Sequence, residues 1–192
     1  MNSKAIAIMD VGQRLFFERG IQETSMEQIA EAVPVAKMTI YKYFQSKEGL
    51  LEAITDRMVQ ESHQFLLRVM EEAKDMYELF DLLLKYQPFD RISLTFVTDL
   101  TQYYPNLFAK MMAYQEEHVI PEFEGAIFRG QQRGEIRKEL SPHLIVRYLV
   151  SMKQFLLQPG NLDERMNVRT LSDQITTMLC HGILSERPSN GV

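Results

Sequence analysis

Residues 32–47 contain three lysines, one threonine, two tyrosines and no acidic residue. Lysine neutralises phosphate groups, and hydroxyls donate hydrogen bonds to phosphate oxygens or base edges. A lysine also reaches guanine O6 or N7, and a threonine methyl contacts a thymine methyl. The pattern therefore indicates nucleic-acid binding. The six side chains are Lys37, Thr39, Tyr41, Lys42, Tyr43 and Lys47.

The charge of the whole chain does not explain this patch. The chain has 192 residues, a formal net charge of -5 and a sequence pI of about 5.5. This balance argues against a general nucleic-acid binder. Residues 1–48 are neutral overall, so the negative charge lies in residues 49–192. A local basic patch near the N-terminus is what remains to be explained.

Two short predicted helices position the patch. Thr24 and Glu27 have the spacing of a capping box, and Pro34 ends the helix that follows. A second helix is predicted over residues 37–44, with Ile40 and Phe44 on its inner face. This is the anatomy of a helix-turn-helix, whose second helix enters the DNA major groove. From spacing alone, a plain helical hairpin with surface lysines explains the pattern equally well.

Apolar residues three and four apart recur along the rest of the chain, which predicts an all-α protein. We expect an N-terminal three-helix bundle over residues 1–48 and a larger helical domain over residues 49–186. Residues 187–192 are expected to be a disordered tail. The sequence shows neither a signal peptide nor a membrane span, and a single cysteine argues against a disulfide framework, so we expect a soluble, cytoplasmic protein. Further helices are predicted at residues 3–19, 47–73, 76–86, 89–103, 106–133 (kinked or split at Pro121), 142–157 and 163–184.

The N-terminal segment resembles the DNA-binding domain of the TetR family of bacterial transcriptional regulators. The resemblance rests on residues 15–20 (LFFERG), 29–32 (IAEA) and 39–49 (TIYKYFQSKEG). It implies a mostly repressive regulator that binds a palindromic operator as a homodimer and responds to a small-molecule ligand. It also implies the DNA-contacting residues, which are Thr24, Lys37, Thr39, Tyr41, Lys42, Tyr43 and Lys47.

The segment departs from the family pattern at three positions. Pro34 stands where the family usually has a turn glycine, so the turn must be built differently. Ala36 stands where a Ser or Thr often caps the recognition helix. Met38 replaces a frequent glycine and adds bulk toward DNA.

The C-terminal region has no recognisable motif, but it has two apolar patterns. One is an apolar stripe on each of the last two predicted helices, and the other is a high content of aromatic residues and methionine over residues 60–128. The resemblance implies that the last two helices pair with their copies in a second subunit, although both apolar stripes suit a protomer's own core as well. The expected dimer residues are Leu144, Tyr148, Met152, Phe155, Leu171, Ile175, Met178 and Leu179. Helices over residues 60–128 are rich in aromatics and methionine, which suits either plain core or a pocket for a largely apolar effector. The candidate ligand residues are Phe65, Phe96, Tyr103, Met111, Tyr114, Gln115 and His118.

The sequence gives no reason to expect an enzyme. The histidines form no metal-ligand pair, and no glycine-rich phosphate loop is present, so we expect neither a metal nor a cofactor. Two alternatives stay open. One is a helical module that binds a small molecule or a partner protein without reading DNA, and the other is an all-helical enzyme. The absence of acids over residues 32–47 favours the DNA-binding reading, since a purely structural hairpin has no reason to exclude them.

Overall fold

The chain folds into α-helices throughout the part that this computed structural model describes, which is residues 2–85, 92–157, 174, 177–178 and 181–184. Within these ranges the only β-type pairing is an isolated antiparallel bridge between Ile136 and Leu184. The all-α prediction is confirmed. The helices are α1 (Ser3–Arg19), α2 (Met26–Ala32), α3 (Lys37–Phe44), α4 (Lys47–Glu72), α5 (Met76–Lys85), α6 (Leu94–Tyr103), α7 (Pro105–Tyr114), α8 (Ile120–Gln132) and α9 (Pro142–Leu157).

The helix ends follow local chemistry, with one shift from the prediction. Gly20 ends α1 with φ +94°, a conformation that glycine adopts without strain. The capping box of α2 is formed by Ser25 and Gln28, so the prediction of Thr24 and Glu27 is wrong by one residue. Each member of the observed pair satisfies a backbone N–H of the other.

The long helix predicted over residues 106–133 is divided. A π-helical turn over Gln115–Val119 separates α7 from α8. Pro121 lies at the start of α8, where its missing N–H leaves no intrahelical bond unmade. The expected break near Pro121 is therefore present, and it is made by the π-helical turn.

Two compact units account for the packing of the chain, the first formed by Met1–Ser62 with Phe89–Tyr114 and the second by His63–Pro88 with Gln115–Val192. In the first unit, fully buried side chains of α1 to α4 share a core with Phe96 and Leu100 of α6. In the second unit, the core joins α5, α8 and α9, with Ile127 and Val146 fully buried. The division into residues 1–48 and 49–186 stays a prediction.

Several predicted features fall on residues that the structure does not describe. Residues 86–91 and most of the helix predicted over residues 163–184 lie outside the described residues, as does the tail over residues 187–192. None of the helices in the described ranges is long and apolar enough to cross a membrane.

Candidate nucleic-acid interface

Helix α3 has one buried face and one face turned to solvent. Ile40 is fully buried, and Phe44 packs against the core of the first unit. Met38 and Lys42 are exposed, and they lie four residues apart on the face opposite Ile40. Thr39 is half-buried beside them. The helix therefore presents a mixed apolar, hydroxyl and cationic surface, as a recognition helix must.

The turn before α3 accommodates proline without a left-handed residue. Val33 ends α2 in an extended conformation, with φ -103° and ψ 113°, and its side chain is buried. Pro34 follows on the surface. Ala36 then starts α3 in an extended conformation and offers no side-chain acceptor to the helix, as expected from its sequence. The turn is therefore built with extended residues at Val33 and Ala36, a conformation that leaves room for proline.

Thr24 has a different role from the one expected of it. Its side chain is fully buried, and its hydroxyl donates to the Gly20 carbonyl at 2.8 Å, with the Leu15 carbonyl at 3.3 Å. The side chain therefore fixes the loop after α1 and is not exposed to a phosphate. The expectation of a DNA contact by the Thr24 side chain is corrected on this point.

Lys37 is held at the edge of α3 by two neighbours. Its ammonium forms an ion pair with Glu27 of α2 and lies 5.6 Å from the ring centroid of Tyr41. Both partners of the ion pair are about half exposed. Lys37 can therefore meet a phosphate only by exchanging a solvent-accessible partner, which costs little.

Lys47 begins α4 next to the loop that precedes α2. Its ammonium lies 3.4 Å from the Gln22 carbonyl. Burial lowers the pKa of Lys47, while the negative charges of Asp99 and Glu23 act in the opposite direction. A phosphate beside Lys47 would likewise favour its ammonium form. Ser46 caps α4, its hydroxyl accepting from the Gly49 N–H at 3.0 Å.

The two tyrosines lie on the sides of α3. Tyr41 and Tyr43 are both half-buried and pack against the core of the first unit. The ring of Tyr43 lies 6.2 Å from that of Phe44. Each tyrosine thus combines a packed ring with a position beside the exposed face of α3.

Asp99 of α6 is a positioning residue that the sequence does not reveal. It is only 6% exposed, and its carboxylate accepts the Gln22 N–H at 2.8 Å. Nearby, the Ser93 N–H donates to the Phe17 carbonyl at 2.9 Å. These bonds tie the N-terminal end of α6 to α1 and its residue Asp99 to the loop that leads into α2. The only sequence signal is that Asp99 is the single charged residue of α6.

The candidate ligand residues are distributed over both units. In the first unit, Phe96 is buried in the core, where its ring meets that of Phe17 edge-on at 4.9 Å, while Tyr103 is 59% exposed. Phe96 therefore fits the plain-core alternative. Met111 and Tyr114 are half-buried, and Met111 packs against the same core.

The remaining ligand candidates lie in the second unit. Phe65 is half-buried against the core of that unit. Gln115 and His118 lie on the π-helical turn, and the His118 ring stacks on that of His63 at 6.2 Å. The structure thus places His118 beside His63, a pairing that the sequence pattern does not indicate.

A cleft in the second unit is lined by other residues. It has a volume of about 150 Å³. Beside it, the Glu135 carboxylate accepts from Arg133 at 2.6 and 3.0 Å and from the Met76 N–H at 2.9 Å. These bonds lower the pKa of Glu135, the Arg133 contact having the largest effect. The cleft is lined by Met70, Ala73, Lys74, Asp75, Met76, Leu79, Ala126, Arg129 and Arg133.

The candidate dimer residues on α9 form an exposed apolar face. Leu144, Tyr148 and Phe155 are 62%, 45% and 46% exposed, and their spacing places them on one face of α9, where they form an apolar patch. Met152 is half-buried, and Met178 is exposed. Three further candidates lie outside the described residues: Leu171, Ile175 and Leu179.

Comparison with known proteins agrees with this geometry. The model of the family "Bacterial regulatory proteins, tetR family" matches residues 8–54. The HTH-type transcriptional repressor DhaR of Mycobacterium sp. (strain GP1) is 21% identical over 92% of this chain and 90% of its own length. A TetR/AcrR-family regulator from Thermobifida fusca has the same fold, with a TM-score of 0.71, 23% identity and coverage of 97% and 100% of the two chains. A transcriptional regulator from Saccharomonospora viridis, solved in complex with choline, aligns with a TM-score of 0.76, 17% identity and coverage of 95% and 98%.

Proposed function

We propose that this chain is a DNA-binding transcriptional regulator of the TetR family, and that it is a repressor which a small-molecule effector releases from a palindromic operator. The observation that carries the proposal is the exposed face of α3, with Ile40 buried behind it and Lys42 in front of it. We propose that it acts in the cytoplasm, where operator DNA is accessible.

On this proposal, α3 enters the major groove and its outer face reads base edges. Lys42 and Thr39 are the base-reading candidates, since they lie on or beside the exposed face. Lys37 and Lys47 are the phosphate candidates, together with the hydroxyls of the two tyrosines at the sides of α3. Phosphate contacts then set the orientation, and base contacts set the sequence.

A homodimer accounts for the exposed apolar face of α9. Leu144, Tyr148 and Phe155 would be covered by the same face of a second copy, which removes apolar surface from water. Two copies present two α3 helices, so the operator would contain two half-sites related by a two-fold axis. Their centres should lie about 34–36 Å, or a multiple of that distance, apart.

The effector is proposed to act by preferring one of two states of the dimer. A ligand weakens DNA binding only to the extent that it binds more tightly to the state whose half-site spacing does not fit the operator. The aromatic and methionine content of the helical region favours a largely apolar ligand. The choline complex of the Saccharomonospora viridis regulator supports a small-molecule site in this fold.

In-vitro selection from a random duplex library tests the proposal. The wild-type protein should enrich a palindromic sequence, and Lys42→Ala should lose or alter that preference. Lys74→Ala is a matched control, since Lys74 is a lysine of the second unit whose side chain is 88% exposed. This control should recover the wild-type sequence. If the folded wild-type dimer enriches nothing at low salt, the free protein does not read DNA and the proposal fails.

A further inference from the structure

Met38 is the most exposed of the large apolar side chains in the described part of the chain. It is the second residue of α3 and is 78% exposed. Methionine is among the residue types most often buried, and here it lies on the face of α3 that is turned to solvent. Met38 and Lys42 lie one helical turn apart, and Thr39, Tyr41, Met38 and Lys42 line one shallow concave surface.

On the proposed function, Met38 is the first side chain of α3 that is free to contact the DNA major groove. In a helix-turn-helix, residues near the N-terminus of the second helix contact base edges. Lys37, the residue before it, is turned toward α2 by its ion pair with Glu27 and lies near the ring of Tyr41. Thr39, the residue after it, is half-buried. Neither neighbour screens the Met38 side chain from a ligand.

The chemistry of the side chain narrows what it can recognise. A thioether is a poor hydrogen-bond partner, so Met38 cannot read the donors and acceptors of a base edge. It can pack on an apolar group, and its flexible chain adapts to the shape of that group. The major groove presents one such group on the four ordinary bases, the C5-methyl of thymine. The same group is present on 5-methylcytosine.

We propose that Met38 is a specificity-determining residue that packs on the C5-methyl group of a pyrimidine in each operator half-site. The inference rests on the proposed DNA-reading function of α3. Lys42 and Thr39 then read polar edges, while Met38 reads one apolar position. Burying a single methyl group is worth about a fourfold gain in affinity per half-site.

The test removes one methyl group at a time from the DNA and shortens one side chain of the protein. In the operator found by selection, each thymine is replaced in turn by uracil, which removes only the methyl group. Dissociation constants are measured for the wild type and for Met38→Ala. We expect one position per half-site where uracil weakens wild-type binding about fourfold and leaves Met38→Ala binding unchanged. Since Met38 is exposed, the variant should fold as the wild type does.

Further arms identify the source of the methyl group and control for the mutation. At the sensitive position, cytosine and 5-methylcytosine are compared with thymine. If methylation of the cytosine raises the binding affinity, Met38 also recognises 5-methylcytosine. If methylation leaves the affinity unchanged, Met38 recognises the methyl group of thymine alone. Ile6→Ala removes an exposed aliphatic side chain of α1 and should keep the full uracil effect. Equal uracil effects in wild type and Met38→Ala at every position overturn the inference while leaving DNA reading intact. If the wild type selects no operator, both the proposed DNA-reading function and the role of Met38 are overturned.

Discussion

The hydrogen bond between Asp99 and the Gln22 N–H is expected to contribute to the stability of the first unit, and a single substitution can test this. Replacing Asp99 with alanine removes a 2.8 Å acceptor from a carboxylate that is 6% exposed. A hydrogen bond to a charged group contributes about 1.5–3 kcal/mol. We expect Asp99→Ala to lower the free energy of unfolding by about 2 kcal/mol. Asp99→Asn keeps an acceptor oxygen and should cost about half as much.

Urea unfolding measures this effect directly. A loss of about 2 kcal/mol moves the midpoint by about 1 M, with the denaturant slope unchanged. Asp56→Asn is the matched control, because Asp56 is a 40% exposed carboxylate of the same unit that pairs with Lys110 on the surface. Exposed ion pairs contribute about 0–1 kcal/mol, so the control should shift the midpoint little. If Asp99→Ala is no more destabilising than the control, the bond to Gln22 does not hold the loop and our account of Asp99 is wrong.

Two further substitutions test backbone geometry and charge. Gly20→Ala should lower the free energy of unfolding by about 3 kcal/mol, because φ is +94° and a Cβ would lie 2.6 Å from Thr95 Cγ2. A loss below about 1 kcal/mol in calorimetry or urea unfolding would show that the loop relaxes. Glu135→Gln should cost about 1 kcal/mol at pH 7, since Arg133 holds the pKa of Glu135 below its ordinary value of 4.5. Because the pKa of Glu135 is lower in the folded state, its ionised carboxylate stabilises the fold above about pH 4.5. That contribution is lost as the pH falls through the folded-state pKa. Unfolding curves of wild type and Glu135→Gln should therefore converge in acid, and a constant gap would contradict the assignment.

Features set by neighbouring residues were predicted well from the sequence. The bounds of α1 and α3 match their predictions because Gly20 and Pro34 act within a turn of the helix ends. The capping box was misplaced because Thr24 and Ser25 are both good caps. Only the structure shows that the Thr24 hydroxyl is taken by backbone carbonyls of α1 and the loop after it.

Features set by distant residues were beyond prediction. Asp99 meets Gln22 across 77 positions, and nothing in either local sequence indicates the pairing. The aromatic candidates for a ligand site illustrate the same limit, since helical periodicity does not distinguish a core face from a pocket wall. Phe96 is a core residue because Phe17 of α1 lies against it, which only the tertiary fold decides.

The missing side-chain acceptor at Ala36 has a consequence for the dynamics of reading DNA. The first turn of α3 begins without the hydrogen bond that a serine or threonine cap supplies, so its amide groups should exchange with solvent faster than those of α1, whose Asn2 cap is formed. A phosphate oxygen is a suitable substitute acceptor at a helix N-terminus. Part of the order of the recognition helix would then be acquired only on the operator, and hydrogen exchange at Lys37 and Met38 would slow when DNA binds.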